Sequence, residues 1–507
     1  MRKTEFWTVL GLSALALAIH LVVNAFGGYG YFRDELYYIA CSKHPAAGYV
    51  DQPPLSLYVL AGVRFLIGHS VFAIRLVPAL LAAVSTALVC LLARRLGGGR
   101  PAMVLSALAF LCSPYLLAFH SYYSMNSFDV LFWLLAVHAL LGTIEHGDLR
   151  SWLLLGLALG LGLLNKTSVL WLCTGVFAAV LLCAPLRRQL RTPGPYAAFV
   201  LALLLFSPFV IWNALNGWPH LEFIRHATEQ KYASLTRVDF LVQQFLAMNP
   251  FSFLVSLPGL AWCLASGDAR TRSLGIVFLT VMAILVANPH TKAEYAMAAY
   301  PMLFACGGVA LEQWLRRWKK VVLWAPAALM GVSGIVLAPV VMPILPVDAY
   351  VRYTNALGVE AGSSEGKELA ELPQFFADMH GWEELARNVS AAFVTIPEAE
   401  RATTVAFVTN YGEAAALELY ADRYPLPRVI CNHNAYWFWG TGSAPITTFI
   451  RLGGDREDYL DSYGDVVQAG VHTCEHCMPY ENNQNIFIVR QRRVPIEKEW
   501  AEYRNFQ

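Results

Sequence analysis

Charged residues are scarce in this 507-residue chain, and neither sign is in excess. Only 14% of the residues are charged whereas 57% are apolar, and the formal net charge is +1. Because soluble domains carry about 25% charged residues, this balance indicates a membrane protein. No basic stripe interleaved with aromatic residues is present, so nucleic acid is not an expected partner. The expected partners are membrane lipids and the molecules that lipids carry.

Several sequence signatures of enzymes and transporters are also missing. No glycine-rich phosphate-binding loop, no local serine or cysteine nucleophile constellation and no inverted repeat is visible. Most of the ten cysteines lie inside apolar runs, where a thiol behaves as a small hydrophobe. Cys474 and Cys477 are the exception, because their Cys-x-x-Cys motif lies beside His472 and His476. This motif is compatible with either a zinc site or a disulfide.

Long apolar runs fill the first two thirds of the chain. Eleven of them are predicted to cross a membrane, at about 7–26, 71–93, 101–119, 127–144, 150–165, 168–185, 195–212, 249–265, 272–288, 295–312 and 321–343. The first run is longer than the apolar part of a signal peptide and lacks a cleavage site, so it is expected to be retained. Shorter mixed or apolar stretches in the loops 27–70 and 213–248 predict interfacial helices.

Basic residues occupy alternate loops between the predicted spans. With the N-terminus inside, the cytoplasmic loops contain Arg94, Arg95, Arg100, Arg150, Arg187, Arg188, Arg191, Arg270, Arg272, Arg316, Arg317, Lys319 and Lys320. Short cytoplasmic loops carry such an excess in membrane proteins. An odd number of spans then places the acidic first loop and the C-terminal part together on the extracytoplasmic side.

The composition changes to that of a soluble domain after about residue 345. Helical runs are predicted at 382–395, 413–423 and 455–462, and strands at 404–409, 429–431, 447–452 and 486–490. This alternation predicts a small α/β domain with a parallel sheet. We therefore expect a polytopic membrane domain over 1–345 and an extracytoplasmic α/β domain over 346–507.

Three acidic residues follow the first predicted span. Asp34 and Glu35 are crowded by aromatic residues, and two adjacent carboxylates can divide the roles of base and orienter in a proton transfer. Acids where a helix leaves the membrane are also often simply solvated. Asp51 precedes Gln-Pro-Pro, a rigid turn, so a site residue and a turn-initiating aspartate are equally well supported.

Further charged residues lie at the predicted outer ends of later spans. Asp129 lies inside the fourth span, where a carboxylate is costly unless it is paired or faces water. Lys166 could bind a lipid phosphate. The alternative is that its side chain only extends the ammonium group towards water. The turn before the tenth span carries His290, Lys292, Glu294 and Tyr295. Together with Lys166, the cations of this turn, His290 and Lys292, can bind a phosphoryl leaving group. Arg75 either joins them or extends its guanidinium towards water.

Together these motifs resemble the C-type polyprenyl-phosphate-sugar-dependent membrane glycosyltransferases. That group includes protein O-mannosyltransferases, lipid A aminoarabinose transferases and bacterial galacturonosyltransferases of lipopolysaccharide. The matching stretches are 32–38, 48–55, 73–80, 164–167, 216–219 and 290–301. The stretches 433–440 and 478–483 also look like the exported C-terminal domain of the bacterial members.

The resemblance implies both a reaction and a location. A sugar would move from a polyprenyl monophosphate to a lipid, glycan or protein acceptor, with inversion at the anomeric carbon, on the periplasmic side of the bacterial inner membrane. Asp34 would be the catalytic acid with Glu35 beside it. Some relatives bind a divalent metal ion near the first loop, but this sequence does not identify its ligands. A polytopic transporter of a polar or lipid-linked substrate is the alternative.

Overall fold

The computed structural model describes residues 2–316, 320–363 and 365–507. Arg317 and Lys319, two of the residues assigned to a cytoplasmic loop, lie outside these ranges. The described chain is mostly helical, and a five-stranded sheet lies near its C-terminal end.

Helices cover most of the chain up to residue 357, including most of each predicted span. They are α1 Lys3–Phe26, α2 Arg33–Lys43, α3 Leu55–Ile67, α4 Val71–Arg95, α5 Arg100–Leu111, α6 Pro114–Phe119, α7 Met125–Glu145, α8 Leu149–Asn165, α9 Val169–Leu182, α10 Ala184–Arg188, α11 Gly194–Leu215, α12 Pro219–His226, α13 Arg237–Ala247, α14 Phe253–Ala265, α15 Ala269–Ala287, α16 Tyr300–Trp314, α17 Lys320–Val341 and α18 Val347–Leu357. The buried core between them is built largely from side chains of α4, α5, α7 and α16.

Fewer described helices are long and apolar enough to cross a membrane than the eleven spans predicted. Among the described helices, α1, α4, α7, α11, α15 and α17 are long and apolar enough to cross a membrane, which makes six. Two further pairs of consecutive helices are bent where they meet, by 85° after α9 and by 87° after α13. If each bent pair is counted as one span, the number rises to eight. Helix α8 has 17 residues, which is about 25 Å and shorter than the hydrocarbon core. The predicted count of eleven is therefore not confirmed.

The two predicted surface stretches contain short helices with apolar outer faces. Helix α3 exposes Phe65 and Leu66, and α13 exposes Val238 and Leu246. With 13 and 11 residues, these two helices are too short to cross a bilayer alone. Their interfacial position remains a prediction.

The residues from 382 onward, called the sheet domain below, form the small α/β unit. Its elements are α20 Trp382–Val394, α21 Glu398–Arg401, β1 Thr404–Val408, α22 Tyr411–Tyr420, β2 Arg428–Cys431, α23 Ala435–Trp439, β3 Thr448–Leu452, α24 Glu457–Leu460, β4 Tyr463–His472, β5 Gln484–Arg492 and α25 Ile496–Glu499, and α19 Gln374–Ala377 precedes them. Most of the predicted strands and helices agree with these elements within a few residues.

The sheet itself corrects the prediction of a parallel sheet. The strand order is β2-β1-β3-β5-β4, with β1 parallel to β2 and β3. Strand β5 runs antiparallel to both β3 and β4. The sheet is therefore mixed, because the chain returns from β4 to β5 through a connection too short for the crossover that parallel strands need.

Helix α2 joins the membrane helices to the sheet domain. Its Leu36, Tyr37 and Ile39 belong to one buried cluster with side chains of α20, α22 and β1. The residues at the start of α2 therefore lie where the sheet domain meets the membrane helices.

Candidate active site

The acidic pair Asp34 and Glu35 lies in the first turn of α2, where a negative charge favours the helix. Glu35 is fully buried and accepts two hydrogen bonds from Arg75, Nε to Oε1 at 2.9 Å and Nη2 to Oε2 at 2.7 Å. It also accepts the backbone N–H groups of Phe32, at 2.9 Å, and Tyr123, at 2.7 Å. Arg75 is therefore buried against Glu35 and does not extend outward, and Glu35 holds the start of α2 in place.

Asp34 has a different environment from its neighbour. Its side chain is 37% exposed, and its Oδ1 lies 3.9 Å from Nε of Arg33. Oδ1 accepts a hydrogen bond of 2.8 Å from the hydroxyl of Tyr411 in the sheet domain. In the described part of the chain, Oδ2 has no hydrogen-bond partner, so one oxygen of an oriented carboxylate is free to receive a proton.

Arg33 is a buried cation that pairs with carboxylates from distant parts of the chain. Its guanidinium lies 3.5 Å from carboxylate oxygens of both Glu365 and Asp378, and Nη1 donates to the hydroxyl of Tyr480 at 2.9 Å. Burial lowers the pKa of Arg33, but these charges outweigh it and hold the pKa well above its usual value. These partners could not be predicted from the sequence, because they lie far from Arg33 along the chain and the residues around Glu365 show no helical or strand periodicity.

A further cation near Asp34 comes from the loop 213–248. Lys231 lies 3.7 Å from Glu365 Oε1. Burial lowers the pKa of Lys231, whereas the negative charges of Glu365 and Asp34 act against that shift. Lys231 could not be predicted from the sequence, since one lysine in a mixed surface stretch is not distinctive.

Asp51 lies on the same side of α2 as the sheet domain. Its Oδ1 accepts a hydrogen bond of 3.0 Å from Tyr37, whose hydroxyl in turn accepts the backbone N–H of Ala435 at 3.1 Å. Burial raises the pKa of Asp51 to about 7, and the charge of Asp34 adds to the shift while the Tyr37 hydrogen bond opposes it. The structure therefore brings Asp51 into the electrostatic range of Asp34.

Asp129 and Lys166 form a second, buried cluster. Lys166 Nζ lies 3.7 Å from Asp129 Oδ2 and donates to Asn126 Oδ1 at 2.7 Å. Ser168 donates to the same Asp129 oxygen at 3.2 Å, and the ammonium lies 5.7 Å from the centre of the Tyr295 ring. Because Lys166 is only 9% exposed, it does not extend into water. The pairing also explains how a carboxylate is tolerated inside α7.

The charged residues of the turn before α16 do not all contact one another. Lys292 Nζ lies 2.9 Å from Glu294 Oε1 and 5.2 Å from the centre of the Tyr232 ring. Burial lowers the pKa of Lys292, but Glu294 and Tyr232 raise it well above its usual value. His290 instead faces the carbonyl of Leu235 at 3.3 Å. No described contact joins it to Lys166 or Lys292.

Cys474 and Cys477 are joined in a disulfide, which decides between the two alternatives for this motif. The bridge lies in the loop between β4 and β5 that also carries Tyr480 to Arg33. Within residues 2–316, 320–363 and 365–507, no three His, Cys, Asp or Glu side chains are grouped as metal ligands. No ligand set for a divalent metal ion is therefore assigned.

Removing Arg75 tests the structural role of the Glu35 ion pair. Arg75→Ala leaves a fully buried carboxylate without its partner, which typically costs about 3–5 kcal/mol. Arg423→Ala is the control, because Arg423 forms an exposed pair with Glu383 worth about 0–1 kcal/mol. Thermal unfolding in detergent should show a large drop in midpoint for Arg75→Ala alone. Equal midpoints for the two variants would contradict the assignment.

Cysteine alkylation tests the disulfide. Eight cysteines are free and two are bridged, so alkylation of the denatured chain should modify eight without a reductant and ten after reduction. The intact mass reports both numbers. Modification of all ten without a reductant, with zinc released into solution, would instead support the metal site.

Residues 51–212 match the family described as dolichyl-phosphate-mannose-protein mannosyltransferase. The lipid A galacturonosyltransferase RgtD of Rhizobium johnstonii is 23% identical over 306 residues, which are 59% of this chain and 64% of the relative. The match thus spans slightly less than two thirds of that relative. An undecaprenyl phosphate-alpha-4-amino-4-deoxy-L-arabinose arabinosyl transferase of Pseudomonas paraeruginosa is 31% identical over 229 residues, 42% of this chain and 41% of the relative.

Solved structures show the same fold. The crystal structure of ArnT from Cupriavidus metallidurans in the apo state has a TM-score of 0.63 at 15% identity and covers 96% of this chain and 98% of that one. The archaeal oligosaccharyltransferase AglB from Archaeoglobus fulgidus has a TM-score of 0.54 at 11% identity, over 91% and 70% of the two chains. At these identities the likeness concerns the fold alone. Residues 51–212 are therefore similar to the dolichyl-phosphate-mannose-protein mannosyltransferase family, and the resemblance to C-type membrane glycosyltransferases seen in the motifs is confirmed.

Proposed function

We propose that this protein is an inverting glycosyltransferase that moves a sugar from a polyprenyl monophosphate to an acceptor, with Asp34 as the general base. The observation that carries the proposal is the carboxylate of Asp34. It is partly exposed and oriented by Tyr411, and its Oδ2 has no partner in the described part of the chain. The names of the relatives support the substrate class, since they describe transfer of galacturonic acid and of aminoarabinose. ArnT has also been crystallised with undecaprenyl phosphate.

The proposed reaction is a single displacement. Asp34 takes the proton of an acceptor hydroxyl while the acceptor oxygen forms a bond to the anomeric carbon. The bond between that carbon and the phosphate oxygen breaks, and the polyprenyl phosphate leaves with the electron pair. Attack from the face opposite the leaving group inverts the anomeric centre.

The leaving phosphate gains negative charge, which buried cations can stabilise. We assign this role to Lys166 and Lys292, because Lys166 is buried, the Lys292 side chain is only 14% exposed, and each is held by a carboxylate, Asp129 and Glu294 respectively. Tyr295 lies against Lys166 and keeps its ammonium in place. His290 remains a proposed donor contact, with the least structural support among these residues.

The other two acids of the first loop have supporting roles in this proposal. Glu35 acts through Asp34, since its own carboxylate is saturated by Arg75 and by backbone N–H groups. Asp51, whose burial raises its pKa to about 7, lies near Asp34 and is assigned to acceptor binding. The acceptor is a lipid, a glycan or a protein, and the lipid A named in one relative is the first to test.

The location follows from the charge pattern of the loops. We place the site and the α/β domain, 346–507, on the periplasmic face of the bacterial cytoplasmic membrane, and the polytopic domain, 1–345, in the bilayer. Arginines on the opposite loops support this orientation. A donor lipid can then reach the site from the membrane while an acceptor reaches it from the periplasm.

Asp34→Asn tests the base directly. The amide cannot accept the acceptor proton, so kcat should fall by about 100-fold or more. The assay uses the purified full chain with lipid A and polyprenyl-phosphate-linked galacturonic acid or aminoarabinose. Asp422→Asn, a change at an exposed aspartate of the sheet domain, should retain full activity. Transfer by Asp34→Asn at the unmodified rate would refute the base, and movement of intact donor without sugar transfer would favour a transporter.

Neutralising the buried pair in α7 and after α8 tests the phosphate contact. The double variant Lys166→Met with Asp129→Asn avoids an unpaired buried charge and should fold. Loss of a charged hydrogen bond should raise KM for the donor about 10-fold or more, while KM for the acceptor stays within about 2-fold. An unchanged KM for the donor in a folded double variant would remove Lys166 from the donor site.

A further inference from the structure

A residue of the sheet domain makes the hydrogen bond that orients Asp34. Tyr411, at the first position of α22, donates its hydroxyl to Oδ1 at 2.8 Å, across 377 positions of sequence. Among the described residues, no other hydrogen bond reaches this carboxylate, and Arg33 lies at 3.9 Å. The direction of the Asp34 side chain therefore depends on a residue outside the first loop and outside the stretch that matches the family, 51–212.

Tyr411 is itself held tightly. Its ring centre lies 4.6 Å from that of Tyr37 and 4.8 Å from that of His433. The guanidinium of Arg33 lies 5.5 Å from the same ring centre. Because these groups leave the ring only 8% exposed, the phenol has little freedom, and the position of its hydroxyl is set before any substrate binds.

The start of α22 is built to approach α2 closely. Asn410 caps the helix, because its side-chain oxygen accepts the backbone N–H of Gly412 at 2.8 Å. A Cβ at Gly412 would lie 2.7 Å from Cγ of Arg33 and 2.9 Å from the Trp382 ring. Only glycine allows this approach, and the approach brings Tyr411 within hydrogen-bonding distance of Asp34.

The chemistry of the phenol suits a fixed donor. Burial holds the pKa of Tyr411 well above its usual value, and the charge of Asp34 adds to this effect while Arg33 opposes it. The hydroxyl therefore stays protonated and cannot act as the base. A donor bound to Oδ1 occupies one carboxylate oxygen and leaves Oδ2 for the acceptor proton.

We propose that Tyr411 is a positioning residue of the transferase, which holds Oδ1 of Asp34 so that Oδ2 meets the acceptor hydroxyl. This inference rests on the proposed function of Asp34. The sheet domain thus completes the active site instead of only covering it.

The test is Tyr411→Phe in the full chain, compared with Tyr424→Phe. The control removes a similar phenol that donates to Glu383 at 3.0 Å, remote from the site. Loss of one hydrogen bond to a charged group should lower kcat of Tyr411→Phe about 10-fold or more. KM for the donor and the thermal unfolding midpoint should stay unchanged, and Tyr424→Phe should behave like the unmodified chain. An unchanged kcat in Tyr411→Phe, or an equal loss in the control, would overturn the proposal.

A double variant separates positioning from a general structural role. If Tyr411 acts only through the Asp34 carboxylate, adding Tyr411→Phe to Asp34→Asn should change the residual rate by less than about 2-fold. A further loss as large as in the single variant would overturn the positioning role. Asp34→Asn with the unmodified rate would refute the base itself. A slow Asp34→Asn beside a fully active Tyr411→Phe would refute only the inference drawn here.

Discussion

The buried ion pair between Glu35 and Arg75 is the interaction on which the candidate site depends. It joins the first turn of α2 to α4, and Arg75 also donates to the carbonyl of Gly30 at 2.8 Å. A fully buried carboxylate is stable only when its acceptors are satisfied, and Glu35 has two backbone N–H groups in addition to the guanidinium. The cost of breaking this arrangement keeps α2 in one position, and the direction of Asp34 follows from that position.

The second constraint comes from the sheet domain. Arg33 lies between acids of the segment before the sheet domain and the hydroxyl of Tyr480, while Tyr411 reaches Asp34. Two neighbouring residues of α2 therefore hold the sheet domain, and the third, Glu35, holds the membrane helices. The three consecutive charged residues Arg33 to Glu35 therefore lie in one helical turn but have different partners. A carboxylate fixed from both sides needs little reorganisation before it accepts a proton.

The sequence predicted the parts of this arrangement that depend on local pattern. Asp34 and Glu35 were selected as neighbours at the end of an apolar run, and the structure places them in one helical turn, although their catalytic roles remain predictions. The pairing of Lys166 with Asp129 was not predicted, because Asp129 lies in α7 whereas Lys166 follows α8, and no local signal joins them. For the same reason, the contacts of Glu365, Asp378 and Tyr411 with α2 could not be predicted. Apolar runs located the helices but not their bends, so the 85° turn after α9 was missed. Strand β4 was not predicted because Gly464, Asp465, Gln468 and Gly470 interrupt the alternation of apolar residues that marks a strand.

The most direct test of the account is a cryo-EM structure of the full-length Asp34→Asn variant with a polyprenyl-phosphate-linked sugar bound. The proposed site predicts that phosphate oxygens lie within about 3 Å of the ammonium groups of Lys166 and Lys292. It also predicts that the anomeric carbon faces the side chain at position 34, with room for one acceptor hydroxyl between them. A donor phosphate bound away from both lysines, or a sugar on the far side of α2 from position 34, would contradict it.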